Sequence, residues 1–352
     1  MRFIHTGDIH LGATPESKRP WAANRGDEIW NTLERLIKKI KIDPVDLLII
    51  AGDIFHRQPL LRELKEVDYL FSTIPDTKVV LCAGNHDAIK KGSFYDGFKW
   101  SENVIFLGDK NIESVEIPEL NTCVYGPSYH QTEIKDAMYD HVIVDRPDMI
   151  NILVAHGEKH IPINRKKLAM SGFDYVAMGH IHKPEIDEKM KMAYSGSLEP
   201  IDMNDIGPRG YIYGEISKRG LELEFVPFAK RIYRELDFTV TPTATNLEIR
   251  HRLIDMIKEQ GQDDMYKITF SGYRDPDFDI DVSDIEGVGN VVSVTDNTVP
   301  DYDFEELYAE NKDNILGMYI KKFLDRESLT PLQRKTLYYG TKALMDAMED
   351  RA

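Results

Sequence analysis

The chain has 352 residues, more than one ordinary domain, and its 42% hydrophobic and 30% charged residues are those of a globular protein. A formal net charge of −16 argues against an autonomous nucleic-acid binder, and two cysteines are too few for a disulfide scaffold. No apolar stretch approaches the roughly 20 residues that span a bilayer.

The first element is the short apolar run Phe3-Ile4, which leads into Gly7-Asp8-Ile9-His10. So early a motif leaves no room for a secretory signal, and a reducing, cytoplasmic setting is expected. Ile29, Trp30, Leu33, Leu36, Ile37 and Ile40 then recur at the spacing of one helical face. The run Leu47 to Ala51 opens onto Gly52-Asp53-Ile54-Phe55-His56. A second, less regular helical stripe follows in Leu61, Leu64, Val67, Tyr69, Leu70 and Phe71. Val79 to Ala83 precedes Gly84-Asn85-His86-Asp87, Ile152 to Ala155 precedes His156-Gly157, and Tyr175 to Met178 precedes Gly179-His180-Ile181-His182. Short runs rich in Val and Ile read as strands buried on both faces, and their alternation with helices implies βαβ units. Cys82 and Cys123 lie in such runs and read as buried thiols.

Beyond the last motif come Tyr194-Ser195-Gly196-Ser197-Leu198-Glu199-Pro200 and two strand-like runs joined by Ser217-Lys218-Arg219-Gly220, a hairpin turn. A second unit begins near Phe228. It contains strands at Arg231–Val240, Met265–Phe270 and Val288–Val294 and a helix at Leu247–Glu259 with Thr245 or Asn246 as cap. The last fifty residues read as helical, with one stripe of Leu316, Tyr319, Ile320, Phe323 and Leu324. Thr330-Pro331-Leu332-Gln333 is a helix start, and Leu337, Thr341, Leu344, Met345 and Met348 form the stripe that follows it.

Asp8, His10, Asp53, Asn85, His86, His156, His180 and His182 all follow strand-like runs. Open α/β sheets bind ligands beyond the carboxyl ends of their strands, so these side chains are expected to converge on one sheet edge. Imidazole, carboxylate and amide oxygen suit borderline divalent ions, and eight donors are too many for one. Two ions bridged by a carboxylate would clamp the attacking and leaving oxygens of a phosphoryl displacement. Any one of these motifs alone could be a solvated turn; five in this order carry the inference. His5, His130, His141, His160 and His251 are surface or core residues by default, although His160 lies four residues past His156.

These five motifs resemble those of the calcineurin-like metallophosphoesterases. Within that superfamily the chain is similar to the SbcD-type DNA repair nucleases and their shorter YhaO-like relatives. The resemblance implies an α/β fold, a β-sandwich flanked by helices in four layers (α/β/β/α), with a small α+β capping domain and a C-terminal helical segment. It implies that Asp8, His10 and His182 bind a first metal ion, that Asn85, His156 and His180 bind a second, and that Asp53 bridges them. It implies that His86 assists the phosphate or leaving oxygen, that Asp87 orients His86, and that His56 contacts substrate. The Gly-Ser-Leu-Glu segment supports the nuclease branch; the chain departs from that signature at Pro200, where many members carry Arg, and Arg209 is the nearest basic candidate for that contact.

The expectation is therefore a metallophosphoesterase domain over residues 1–228, an α+β cap over 229–304 and a helical segment over 305–352 that docks onto an ATPase. The expected activity is a DNA phosphodiesterase, an exonuclease with some endonuclease activity, acting in repair with two manganese ions (iron or zinc being alternatives) and an SbcC-type coiled-coil ATPase. Homodimerisation stays open, and no membrane partner is expected. The alternatives are a small-molecule or cyclic-nucleotide phosphodiesterase of the same superfamily and a non-catalytic scaffold for the ATPase.

Overall fold

In the computed structural model, residues 1–158, 162–326 and 328–349 are described. They form β1 (Arg2–Thr6), α1 (Arg25–Ile42), β2 (Leu47–Ala51), α2 (Leu61–Ser72), β3 (Lys78–Cys82), β4 (Val104–Leu107), β5 (Glu113–Ile117), β6 (Thr122–Gly126), β7 (Ile150–His156), α3 (Arg165–Ala169), β8 (Tyr175–Gly179), β9 (Glu185–Asp187), β10 (Met192–Tyr194), β11 (Gly210–Ser217) and β12 (Gly220–Pro227). One six-stranded sheet runs β12-β11-β1-β2-β3-β4 and a second runs β5-β6-β7-β8-β10-β9. The strands β1 to β4 are mutually parallel, as are β6, β7, β8 and β10, while β11 returns antiparallel beside β1.

The period of two along each strand makes the layers. In β2, Leu48 and Ile50 face Leu33, Leu36 and Ile40 of α1 and Leu64, Val67 and Phe71 of α2. Leu47, Ile49 and Ala51 face the other way, against Val124, Ile152, Val154, Tyr175 and Ala177 of the second sheet. Leu153, Ala155, Val176 and Met178 then turn outward to Leu168 of α3 and to Tyr139. Helix, sheet, sheet, helix is the expected four-layer order, with both strands and both stripes used as the sequence pattern requires. Both cysteines are buried and free.

Packing divides the chain at Tyr233/Arg234. The second unit comprises β13 (Tyr233–Val240), α4 (Asn246–Gln260), β14 (Met265–Arg274), α5 (Val282–Ile285), β15 (Val291–Asp296), β16 (Val299–Pro300), α6 (Phe304–Glu310), α7 (Ile315–Leu324) and α8 (Pro331–Glu349). Thr245 and Glu248 close a reciprocal capping box at α4. Thr330 and Gln333 do the same at α8, each side chain holding the other's backbone N–H at 3.3 and 3.0 Å. The stripe of α8 packs within this chain: Leu337 is buried with Leu316 and Ile320 of α7, and Phe323, Leu344 and Met345 close around them. Exposed apolar side chains of this region are instead Ile315, Met318 and Leu332. Among the described residues, no helix is long and apolar enough to cross a membrane.

Candidate dimetal site

Each candidate donor sits at the carboxyl end of a parallel strand. Asp8 and His10 follow β1, Asp53 follows β2, Asn85 and His86 follow β3, His156 ends β7, and His180 and His182 follow β8. Two sheets therefore deliver their loops to one edge. The sheets approach so closely there that a Cβ on Gly179 would overlap the Ala51 carbonyl oxygen, and one on Gly52 would overlap the His156 ring. The backbone is also bent where the donors stand. Asp8, His10, Asp53 and His180 have φ of 49°, 54°, 50° and 90°, in a region that non-glycine residues seldom adopt.

The donors fall into two buried groups. Asp8, His10 and His182 form one, and Asp53, His156 and His180 the other, with candidate ligand atoms within 4.8 Å of one another in each. His10 Nε2 and His182 Nε2 face each other at 3.2 Å. Asn85 Oδ1 lies 2.9 Å from both His156 Nε2 and His180 Nδ1. Asp53 Oδ2 reaches across, 3.3 Å from His156 Nε2 and 3.8 Å from His10 Nε2. The backbone locks this arrangement: His180 N–H donates to both Asp8 oxygens and His86 N–H to Asp53 Oδ1, while the Ala51 carbonyl holds His156 Nδ1 at 2.8 Å.

Electrostatics match a cation-binding role. Burial pushes the pKa of His10 down to about 3 and that of His180 to about 4, so both imidazoles keep a free lone pair at neutral pH. Burial raises Asp8 to about 6 and, with the Asp53 charge beside it, Asp87 to about 7. For His156, burial opposes charge but Asp53 overrides it and lifts the pKa to about 9; Asp53 in turn is held below the usual carboxylate range, burial opposing and His156 prevailing. Three carboxylates buried among neutral imidazoles call for positive charge, and this nitrogen- and oxygen-rich donor set fits two divalent ions.

His56 and His86 stand exposed beside the buried groups. Their rings stack with centroids 5.1 Å apart, and each also meets His10, His56 through an Nδ1–Nδ1 approach of 3.3 Å and His86 edge-on at 4.7 Å between centroids. The contact of His86 Nδ1 with the His56 carbonyl at 3.2 Å makes it a donor and leaves Nε2 unprotonated in the neutral ring.

Two sequence expectations need correction. Asp87 does not orient the His86 ring. Its carboxylate accepts from Gly84 N–H at 2.8 Å, Phe55 N–H at 3.2 Å and Tyr95 O–H at 2.8 Å, so it fixes the loops that carry Asp53 and Asn85. Arg209 is buried, with 3% exposure, and donates to the carbonyls of Ile206, Gly207 and Pro208, which removes it from any surface contact. Glu199 of the Gly-Ser-Leu-Glu segment is likewise internal. It accepts from Thr32 Oγ1 at 2.7 Å and from Lys230 N–H at 2.5 Å, and lies 3.7 Å from Arg25, which itself donates to the Pro200 carbonyl at 2.9 Å. This segment anchors the loop to α1 and to the strand that leaves the domain. His160 lies outside the described residues.

One residue escaped the sequence reading. Asp205 Oδ2 lies 3.2 Å from His182 Nδ1 and also accepts from the backbone N–H groups of Ile201 and Asp202, while Oδ1 faces Arg209 Nη2 at 3.4 Å. Such a carboxylate fixes the imidazole tautomer with the Nε2 lone pair toward the donor group. The only signal in the sequence is the cluster of Asp202 and Asp205 around a turn, and turns of that composition are common.

Comparison with known proteins gives the same direction. A family profile described as calcineurin-like phosphoesterase matches residues 1–184, slightly more than half of the chain. Among related proteins, an SbcCD nuclease subunit of Staphylococcus saprophyticus is 24% identical over 269 residues, covering 64% of this chain and 69% of that protein. The DNA double-strand break repair protein Mre11 of Methanopyrus kandleri is 26% identical over 265 residues, with 64% and 56% covered. The metallophosphoesterase YhaO of Bacillus subtilis is 26% identical over 256 residues, with 64% and 60% covered. The chain thus spans less than two thirds of the length of two of these three proteins.

Proposed function

The chain belongs to the calcineurin-like phosphoesterase family, and from that premise we propose that it is a dimetal-dependent DNA phosphodiesterase, an exonuclease with some endonuclease activity, that works in repair beside an SbcC-type coiled-coil ATPase. The observation that carries this reading is the pair of buried Asp/His groups joined through Asp53, with His56 and His86 exposed at their mouth. Names of the related proteins, a nuclease component and a double-strand break repair protein, point the same way.

In this reading Asp8, His10 and His182 hold one ion, Asn85, His156 and His180 the other, and Asp53 is shared. Manganese is the first choice, since the donors are imidazole, carboxylate and amide oxygen without thiolate. Bound ions would lower the pKa of a water and neutralise charge on the phosphate oxygens. His86 gives a hydrogen bond or proton to the phosphate or leaving oxygen, since its ring is exposed and is not needed as a ligand. His56, stacked on His86, lies against the strand being cut. Asp205 holds His182 in its ligating tautomer, and Asp87 keeps the Asp53 and Asn85 loops in register.

The partner surface shifts from the sequence expectation. Phe323, Leu337 and Leu344 are used in this chain's own core, so docking to the ATPase falls to the exposed Ile315, Met318 and Leu332. A cytoplasmic setting accompanies this reading.

A second reading, a small-molecule phosphodiesterase, is favoured by one observation: the cavity of about 250 Å³ beside Asn85 and His180 is lined by Glu133 and Glu158, a poor surface for a polyphosphate backbone. The purified protein with manganese, given linear duplex DNA and bis-p-nitrophenyl phosphate with and without the ATPase, separates the readings. DNA cleavage that the partner stimulates is the expected result. Hydrolysis of the small diester alone under every condition would favour the second reading, and no hydrolysis of either would favour a scaffold.

A further inference from the structure

From Arg234 onward the sequence carries 14 Lys and Arg against 25 Asp and Glu, so most of this unit repels polyanions. One cavity of about 540 Å³ departs from that balance. It lies between α8 and the β14–β16 edge, and its lining includes Arg334, Lys335 and Lys342 with Tyr273, Tyr338 and Tyr339. The three cations are exposed and have no ion-pair partner among the described residues. Their spacing along α8 explains the clustering: residues 334, 338 and 342 lie on one helical row, and 335 and 339 on the row beside it. Positive and aromatic side chains therefore interleave along one face.

The aromatic part is in two states. Tyr338 is held by Tyr302, stacked at 6.4 Å between centroids, and by Phe304, edge-on at 5.1 Å. Tyr339 is 73% exposed and Tyr273 is 45% exposed, so two ring faces stand open beside the cations. The nearest carboxylate influence on Tyr338 is that of Asp301. Arg274, also in the lining, is occupied by the carbonyls of Asp275, Pro276 and Phe278 and belongs to the wall.

We propose that this cavity binds single-stranded nucleic acid, with Arg334, Lys335 and Lys342 on successive phosphates and Tyr339 and Tyr273 stacking on bases. The volume suits a nucleoside phosphate, and cations interleaved with open aromatic faces are the chemistry of sequence-tolerant strand binding. The proposal rests on the reading of the chain as a DNA phosphodiesterase and answers its main physical difficulty, the charge of −16. The grip on the strand is local, and the acids elsewhere keep the rest of the unit off it.

The test uses the manganese-loaded protein and a fluorescein-labelled, phosphorothioate-linked oligothymidylate that resists cleavage, with affinity read by anisotropy across a salt series. Arg334→Gln/Lys335→Gln/Lys342→Gln should weaken binding at least tenfold at low salt, on the order of three lost phosphate contacts, and should reduce the log–log salt slope by about 2. Tyr339→Ala should weaken binding roughly five- to a hundredfold with the slope unchanged. All four side chains are exposed, and hydrolysis of bis-p-nitrophenyl phosphate should stay at the wild-type rate in both variants. Unchanged affinity and slope in the triple variant would overturn the proposal, as would oligoglutamate competing as well as the oligonucleotide. Failure of the underlying reading looks different: the wild type would then bind the oligonucleotide through this cavity yet leave duplex DNA uncut.

Discussion

At the sheet edge of the first unit, Asp8, His10, Asp53 and His180 hold positive φ, and Asp8, Asp53 and Asp87 are carboxylates buried to within 1% of full exclusion. In the second unit, among the described residues, the positive-φ positions are the glycines Gly261 and Gly272, and its acids are mostly solvated or used as helix caps. Backbone strain of this kind costs on the order of 1–3 kcal/mol per residue, and buried carboxylates add to it. A fold keeps such costs only where the surrounding packing enforces them, and here two sandwiched sheets do so. The contrast separates a rigid site, held in place by a large core, from a unit assembled by ordinary local rules.

The sharpest way to break that contrast is at Asp53. Asp53→Ala should abolish hydrolysis and remove the ability of manganese to raise the melting temperature, because both donor groups lose their shared carboxylate and a ligand stabilises only what binds it. Calorimetry with and without metal checks this. The metal-free variant should be at least as stable as the metal-free wild type, since a buried charge has gone; a large loss of stability without metal would mean that Asp53 is structural.

His86→Asn comes next. It should retain both ions and lose roughly 10²–10⁴ in rate, the usual contribution of a general acid or base. Elemental analysis beside the kinetics decides, and a metal-free variant would make His86 a ligand. Asp205→Asn should be milder. It preserves an acceptor for Ile201 and Asp202 but no longer enforces the His182 tautomer, so manganese affinity should fall roughly 10–100-fold by titration calorimetry. An unchanged affinity would reduce Asp205 to a loop cap. The smallest effect on catalysis belongs to the second unit. Leu337→Ala should cost about 2–5 kcal/mol in denaturant unfolding and leave the small-diester rate unchanged. If the rate falls with it, the two units are not energetically separate.

What could be read from the sequence follows the same division. The motifs at Asp8, Asp53, Asn85, His156 and His180 were legible because each follows a run of buried apolar residues, and a period-two core announces itself locally. The capping boxes at Thr245 and Thr330 were legible for the same local reason. Asp205 was not, because its contact with His182 is made by a loop closing over 23 residues of chain. Arg209 was misread as a surface cation because charge in a sequence does not reveal burial. The stripe of α8 was recognised, but its partner was not: whether Leu337 and Leu344 meet α7 or another protein depends on a turn that periodicity does not describe. The strands β4 to β6 and the loop from 128 to 149 left no clear signal, their runs being short and mixed.

The central claim is that one edge of the sandwich holds two ions that share Asp53. Anomalous diffraction from manganese-loaded crystals, with elemental analysis of the same active preparation, tests it most directly. The account predicts two manganese peaks per chain, one beside Asp8, His10 and His182 and one beside Asn85, His156 and His180, with Asp53 contacting both. A single peak in fully active protein, or two peaks with Asp53 turned away from either, would contradict it.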